Sequence, residues 1–484
     1  MSSADYYAES DSKKVDSSEE ESISSVHKGD DASTIDKEFE RRTMRYVDWR
    51  IIPVLALVYS FSLIDRINLG AAYTAGMGAD LKLAIGARFN IVSCMYFVPY
   101  IILQLPGNFA LRRFGVREWL TFIVVAWGAV QLAMGFVDNW QQLVLTRVLL
   151  GVFEASFFPS IIFIISTWYK RHEVQKRLAA FYLISVTAGG LSPLLAYVIS
   201  LLNGRCNLAG WRWIFIIEGA ITLFLGIVTW FFIPSFPDQN KFLSPEQTAL
   251  VLKRIDEDRG DALPDPVTFA KIKAHLCDWT IWAFGIMFLC GGLPSYAQSI
   301  FLPIILRGMG WTKTAALLRS VPPYAPAIIT TIIISWLSDK HKHRAGFIAG
   351  SSIICIVGVS LTAFAKQNEV RYFGVFLTTI GNSGCIPTII AYSSNNVVSH
   401  SKRTVQSAVT VAFAGVSGLV ATNIFRTKDA PRYYPGLGAT LGSQVLLLVL
   451  LIITTLHFSR QNKLMRAGKL STPLQGQPGF YYTL

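Results

Sequence analysis

Apolar residues run along this chain in unbroken blocks of roughly twenty. They lie near 51–72, 89–110, 118–137, 141–165, 178–202 and 211–233, and again near 279–301, 318–338, 345–365, 372–394, 404–425 and 438–458. At 1.5 Å per helical residue such a block covers a hydrocarbon core about 30 Å thick. The runs are continuous and lack the alternation of a strand. In lipid only helices and closed barrels satisfy their backbones, so the pattern predicts helices. A polar stretch, 234–276, separates the sixth block from the seventh and holds Pro234, Pro237, Pro245, Pro264 and Pro266 around a charged helical piece. Six blocks, a long polar linker and six more is the layout of transporters made from two repeated halves. The expected organisation is an all-α membrane protein with 12 transmembrane helices in two six-helix bundles, 46–233 and 277–460. A linker, 234–276, joins them, and tails of 1–45 and 461–484 flank them.

Composition strengthens this reading. The 484 residues are 52% hydrophobic and 15% charged, with mean hydropathy +0.42, against about 25% charged in soluble domains. The net charge of +13 hides two regions: residues 1–40 hold twelve Asp/Glu and four Lys. That acidic, Ser-rich stretch reads as a disordered tail and lacks the regions of a signal peptide. The remaining cations sit in short loops, which points to membrane orientation and away from nucleic acid. With both termini cytoplasmic, four short inner loops hold twelve Lys/Arg against eleven in six outer loops. Arg41, Arg42, Arg45 and Arg50 before the first block, and Arg460, Lys463 and Arg466 after the last, agree. Six scattered cysteines carry no metal-ligand spacing and no disulfide framework. No metal or cofactor is expected.

Ionisable residues inside the blocks narrow the chemistry, because each costs several kcal/mol in the membrane and usually has a partner and a function. They are Asp65 and Arg66 in span 1, Arg147 and Glu154 in span 4, and Glu218 in span 6. Counted from the span ends at 1.5 Å per residue, Asp65, Arg147 and Glu218 reach one layer of the outer half. Asp65 and Arg66 point about 100° apart and cannot share one partner. Arg147, Gly151 and Glu154 form one stripe, with Gly151 leaving room for a neighbouring backbone. A carboxyl at the depth of Glu154 suits proton loading and release, or permanent pairing with an arginine. If Asp65 or Glu218 neutralises Arg147, Arg66 is left as the freer cation for a substrate carboxylate, or it snorkels to the outer surface. The second half offers Tyr296, Gln298, Asn382 and Asn395, suited to orienting a ligand or to interhelical hydrogen bonds.

Several stretches together resemble the major facilitator superfamily, and within it the fungal anion:cation symporter family of allantoate-, nicotinate- and pantothenate-type permeases. Asp65-Arg66-Ile67-Asn68 looks like that family's span 1 signature, and Arg147 through Ala155 its span 4 motif. Ser166-Thr167-Trp168-Tyr169 with Glu173 and Arg177 is similar to the following loop, and Trp211 through Gly219 to the opening of span 6. In the second half Phe301-Leu302-Pro303, Val321-Pro322-Pro323-Tyr324, Leu337-Ser338-Asp339-Lys340 before Arg344, Asn395-Asn396-Val397 and Asp429-Ala430-Pro431-Arg432 fit as well. The likeness spans roughly residues 45–460. The loop after span 2 lacks the superfamily's acidic residue, while its second-half copy keeps Asp339.

The resemblance implies two bundles around a central cavity, alternating access, and proton-coupled uptake of a small organic anion. On this reading Arg66, Arg147, Tyr296, Gln298, Asn382 and Asn395 bind substrate. Asp65, Glu154 and Glu218 couple protons, and Asp339 and Arg344 belong to a gating loop. The expected partners are the anion, H+ and the lipid bilayer of the plasma membrane, with no nucleic acid and a monomeric state. An exporter of an acidic metabolite is the alternative, and a non-transporting nutrient sensor a further one. No nucleophile–base pair or phosphate loop points to an enzyme.

Overall fold

The computed structural model describes the backbone of residues 3–484 apart from 261–268, 342, 471–472 and 478, and side chains from Glu38 onward. Side chains at several positions within 105–112 and 171–186, over 257–269, and at 400, 427 and 476 lie outside that description. All regular structure among the described residues is helical. The first bundle contains α1 (Ser3–Ala72), α2 (Arg88–Cys94), α3 (Phe97–Phe114), α4 (Val116–Met134), α5 (Trp140–Glu154), α6 (Phe157–Trp168), α7 (Arg171–Ser200) and α8 (Gly210–Phe232). The linker carries α9 (Pro245–Gly260) and α10 (Phe269–Leu276). The second bundle contains α11 (Trp279–Gly308), α12 (Lys313–Arg319), α13 (Tyr324–His341), α14 (Arg344–Phe364), α15 (Asn368–Asn395), α16 (His400–Ile424) and α17 (Tyr434–Arg466).

Among the described residues ten helical stretches are long and apolar enough to cross a membrane, against the twelve expected. The other two predicted blocks are helical too. Block 89–110 is divided between α2 and α3, and block 178–202 lies in α7, whose described apolar part is Thr187–Ser200. The expected tail 1–45 falls outside the described side chains as far as residue 37. From Glu38 the chain is already part of α1, so the helix begins before the expected end of the tail.

Two proline breaks shape the first bundle. Proline has no N–H to give the carbonyl four residues back. Pro99 follows a break at Met95–Tyr96, and Pro159 follows one at Ala155–Ser156. The breaks face each other: a Cβ on Gly151 would lie 2.2 Å from the Tyr96 carbonyl and 2.9 Å from Pro99 Cγ. Only glycine at 151 permits this approach, and it sets the end of α5, with Glu154, against α3.

Within the bundles α4 packs on α8, α1 on α7 and α8, α14 on α15, and α11 on α16 and α17. The bundles meet through α1 on α11 and α3 on α16. Their shared contacts gather in the half of the molecule away from the two termini. There Asn90 Nδ2 donates to the Thr422 and Phe425 carbonyls, and Arg307 Nη1 to Thr74 O at 3.3 Å. A Cβ on Gly70 would fall 1.8 Å from Ile300 O, so α1 and α11 touch backbone to backbone. Phe97 and Ile101 of α3 fill the hollows over Gly418 and Gly415 of α16.

At the other end, near the termini, ions hold the linker. Arg177 binds both oxygens of Asp48 at 2.6 and 3.0 Å, and Arg254 of α9 bridges Glu40 at 2.5 Å and Glu173 at 2.7 Å. Burial opposes ionisation of Asp278, yet the bonds it accepts from Lys402 and Thr280 outweigh burial and hold its carboxyl below the usual range. Residues 482–484 dock on the second bundle: Tyr482 stacks on Phe458 at 4.3 Å, and Asn462 and Asn396 bond the backbone of Tyr482 and Thr483.

Candidate functional site

The five ionisable residues predicted from the apolar blocks are all buried: Asp65 0%, Arg66 8%, Arg147 2%, Glu154 1% and Glu218 0% exposed. Helix α1 supplies Asp65 and Arg66, α5 supplies Arg147 and Glu154, and α8 supplies Glu218. Their packing places them in one polar layer inside the first bundle.

The pairing differs from the expected one. Arg66 is the bound cation: its Nε and Nη2 donate to Glu154 Oε1 at 2.7 and 2.5 Å, and Nη2 also reaches the Tyr100 hydroxyl at 3.2 Å. Ser62 Oγ donates to the same Glu154 oxygen. The guanidinium stands 4.7 Å from the Tyr100 ring centroid and 5.6 Å from that of Tyr96. The physical reason lies in side-chain direction. Helical side chains lean toward the helix N-terminus, so Arg66 reaches back one turn, past Ser62, to the depth of Glu154.

Arg147 is the cation with open donors. Its Nε and Nη2 are buried without a hydrogen-bond partner, although Asp65, Glu154 and Glu218 all lie within electrostatic reach. Asp65 is instead held by Trp127 Nε1 at 2.7 Å and Gln131 Nε2 at 2.9 Å. Glu218 accepts from Asn68 Nδ2, and Asn68 Oδ1 in turn accepts from Ser192 Oγ at 2.6 Å. As expected from adjacent helical positions, Asp65 and Arg66 have different partners.

Of the second-half residues, Tyr296 joins this site. Its ring meets Phe97 edge-on at 5.4 Å, and its hydroxyl lies within electrostatic reach of Arg66. Gln298 does not join it. Two residues further on a helix points to the opposite side, and its amide donates to Val375 O at 3.3 Å inside the second bundle. Asn382 is buried in α15 with Oδ1 unpartnered. Asn395 is exposed as the last residue of α15, thirteen residues or about 20 Å from Asn382. Asp339 and Arg344 form an ion pair, and the Arg344 backbone N–H donates to Leu484 O at 2.7 Å.

Sequence reasoning missed Ser62, Tyr96, Tyr100, Trp127, Gln131 and Ser192. Gln131 carried a signal, being an amide in the middle of the apolar block 118–137. The tyrosines carried none that separates them from other aromatic residues in apolar blocks.

The arrangement is a buried, charge-dense layer inside the first bundle, with the Arg66 guanidinium walled by Tyr96 and Tyr100. Its surroundings have relatives. The Major Facilitator Superfamily pattern matches residues 55–422. An uncharacterized transporter of Schizosaccharomyces pombe is 31% identical over 429 residues, covering 86% of this chain and 83% of its own. The high-affinity nicotinic acid transporter of Saccharomyces cerevisiae is 28% identical, covering 88% of this chain and 80% of its own. Among solved structures, an inward-facing bacterial homolog of the human lysosomal transporter Spinster superposes with TM-score 0.65 at 15% identity, covering 83% of this chain and 94% of its own. The Escherichia coli xylose transporter XylE, in a partially occluded inward-open state, gives 0.64 at 12% identity, covering 83% and 97%. The chain is a multi-pass membrane protein and belongs to the major facilitator superfamily of secondary transporters.

Proposed function

We propose that this protein is a proton-coupled symporter that carries a small organic anion by alternating access. In this reading twelve helices cross the plasma membrane, both termini are cytoplasmic, and the chain works as a monomer. The observation that carries the reading is Arg147: a permanently charged fork of donors, 2% exposed, with Nε and Nη2 unpartnered. A buried guanidinium without bonds is costly, and a carboxylate offers the bidentate match that removes the cost.

Charge counting gives the coupling. The layer holds three carboxyl groups, Asp65, Glu154 and Glu218, and two guanidinium groups, Arg66 and Arg147. Fully ionised it carries one excess negative charge at membrane depth, and an incoming anion adds another. Net charge there is expensive, so anion entry favours proton entry. Glu154 is placed for exchange: Oε1 is bound by Arg66 and Ser62, and Oε2 is buried without a partner. A proton on Glu154 loosens Arg66, which then turns to the substrate beside Tyr100 and Tyr296. The bundle contacts around Gly70 and Asn90 close the half away from the termini. The nicotinic acid transporter relative makes planar carboxylates a sensible first panel.

The test is uptake of radiolabelled nicotinate, allantoate, pantothenate, biotin and other mono- and dicarboxylates at acid and neutral pH in cells expressing the protein. Uptake of at least one, faster at acid pH, is expected. Arg147→Ala and Glu154→Gln each abolish it with membrane insertion intact. Full uptake by both variants refutes the assignment, and net efflux down an imposed pH gradient makes the protein an exporter.

A further inference from the structure

The three buried acids are served in three different ways. Both oxygens of Asp65 accept from nitrogen: Oδ2 from Trp127 Nε1 and Oδ1 from Gln131 Nε2. An indole N–H can only donate, so both Asp65 oxygens serve as acceptors. Glu154 has one oxygen bound by a guanidinium. Glu218 has neither arrangement. Its Oε2 accepts from the Asn68 amide, whose Oδ1 accepts in turn from Ser192 Oγ. Its Oε1 is buried with no donor at all.

Gln131 has the complementary defect. Its NH2 serves Asp65, it neighbours Glu218, and its own Oε1 is buried without a donor. Two acceptor oxygens on neighbouring residues are thus without a donor, and each stranded buried acceptor is costly. One proton on Glu218 Oε1 supplies both. The charge count asks for the same proton: with Glu218 neutral, Asp65 and Glu154 balance Arg66 and Arg147.

We propose that Glu218 is a resident neutral carboxylic acid whose Oε1 proton is directed at Gln131 Oε1, with Gln131 as the positioning residue that separates it from ionised Asp65. The groups facing Glu218 are Asp65 and Asn68 from α1, Gln131 from α4 and Arg147 from α5. This narrows the coupling role to Glu154, a clause that rests on the transport reading above. Glu218 then donates one hydrogen bond and keeps Arg147 from being quenched by a second carboxylate.

The experiment needs no substrate. Infrared spectra of the purified full-length protein at neutral pH, in H2O and D2O, report protonated carboxyl groups through their C=O stretch. Glu218→Gln is expected to remove one such band, while Glu154→Gln and Asp65→Asn keep it. Gln131→Leu is expected to retain the band at a changed frequency. A band that survives Glu218→Gln, or one lost in Asp65→Asn or Glu154→Gln, overturns the proposal. Melting curves establish that each variant is folded; if Glu218→Gln does not fold, an unshifted band in Gln131→Leu overturns it alone. A failed uptake screen with the expected spectra rejects the transport reading and leaves this assignment standing.

Discussion

Arg66 and Arg147 are both buried guanidinium groups, yet replacing each by Met has different consequences for stability. Arg66 donates twice to Glu154 Oε1, at 2.7 and 2.5 Å, and Glu154 is 1% exposed. Arg66→Met strands that carboxylate, and breaking one side of a buried pair costs about 3–5 kcal/mol. Arg147 has two stranded donors, each worth about 1–3 kcal/mol when left unmade in a buried site. Arg147→Met removes that penalty, keeps the apolar stem in place, and gives up the attraction of Asp65 and Glu154. The two changes oppose each other, so the melting temperature stays close to that of the parent. The assay is thermal unfolding of the detergent-purified protein followed by intrinsic fluorescence, alongside uptake. Arg66→Met should melt several degrees lower, and Arg66→Met with Glu154→Gln should recover most of the loss, since contacting residues do not add. Both single variants should lose uptake. An Arg66→Met protein as stable as the parent, beside an Arg147→Met protein that melts much lower, refutes the pairing argument.

At Gly70 the side chain has no room, because a Cβ would lie 1.8 Å from Ile300 O. Gly70→Leu should therefore insert normally but fail to close the half away from the termini, losing uptake while raising thiol labelling of a cysteine placed at Asn68; uptake near the parent rate contradicts this. The Lys402–Asp278 pair, 2.5 Å long and capping the start of α11, gives a pH test. Because the Asp278 carboxyl is held low in the folded state, its contribution is present above the unfolded value of about 3.9 and is lost as pH falls below it. Asp278→Asn should thus lower the melting temperature at neutral pH and make no difference in strong acid; a constant difference across that range would be inconsistent with the pair.

Much of this architecture was legible in the chain because the membrane imposes strict terms. Twenty-residue apolar blocks and the polar stretch 234–276 predicted two halves, and five charges inside apolar blocks pointed to the candidate site, since each is costly there. Depth was readable and azimuth was not. Counting residues put Asp65, Arg147 and Glu218 in one layer, but it could not tell that Arg66 reaches back a turn to Glu154, leaving Arg147 with open donors. Span 4 reads as one block, 141–165, yet the helix breaks at Ala155–Ser156 just after Glu154. Pro159 marked that break in the sequence. Gln298 and Asn395 were grouped with Tyr296 by residue type alone; helical phase sends Gln298 to Val375, and Asn395 ends its helix exposed. Trp127 and Gln131, which hold Asp65, sit in a span whose charges, Arg117 and Glu118, lie only at its start, so the mid-block amide of Gln131 was its one polar signal.

Ligand-induced stabilisation of the purified protein addresses the central claim, that Arg147 receives a carboxylate. Parent and Arg147→Met proteins would be melted against a panel of small mono- and dicarboxylates at acid pH. The account predicts that at least one acid raises the parent's melting temperature saturably and leaves Arg147→Met unmoved. Equal stabilisation of both proteins by every active acid would contradict it.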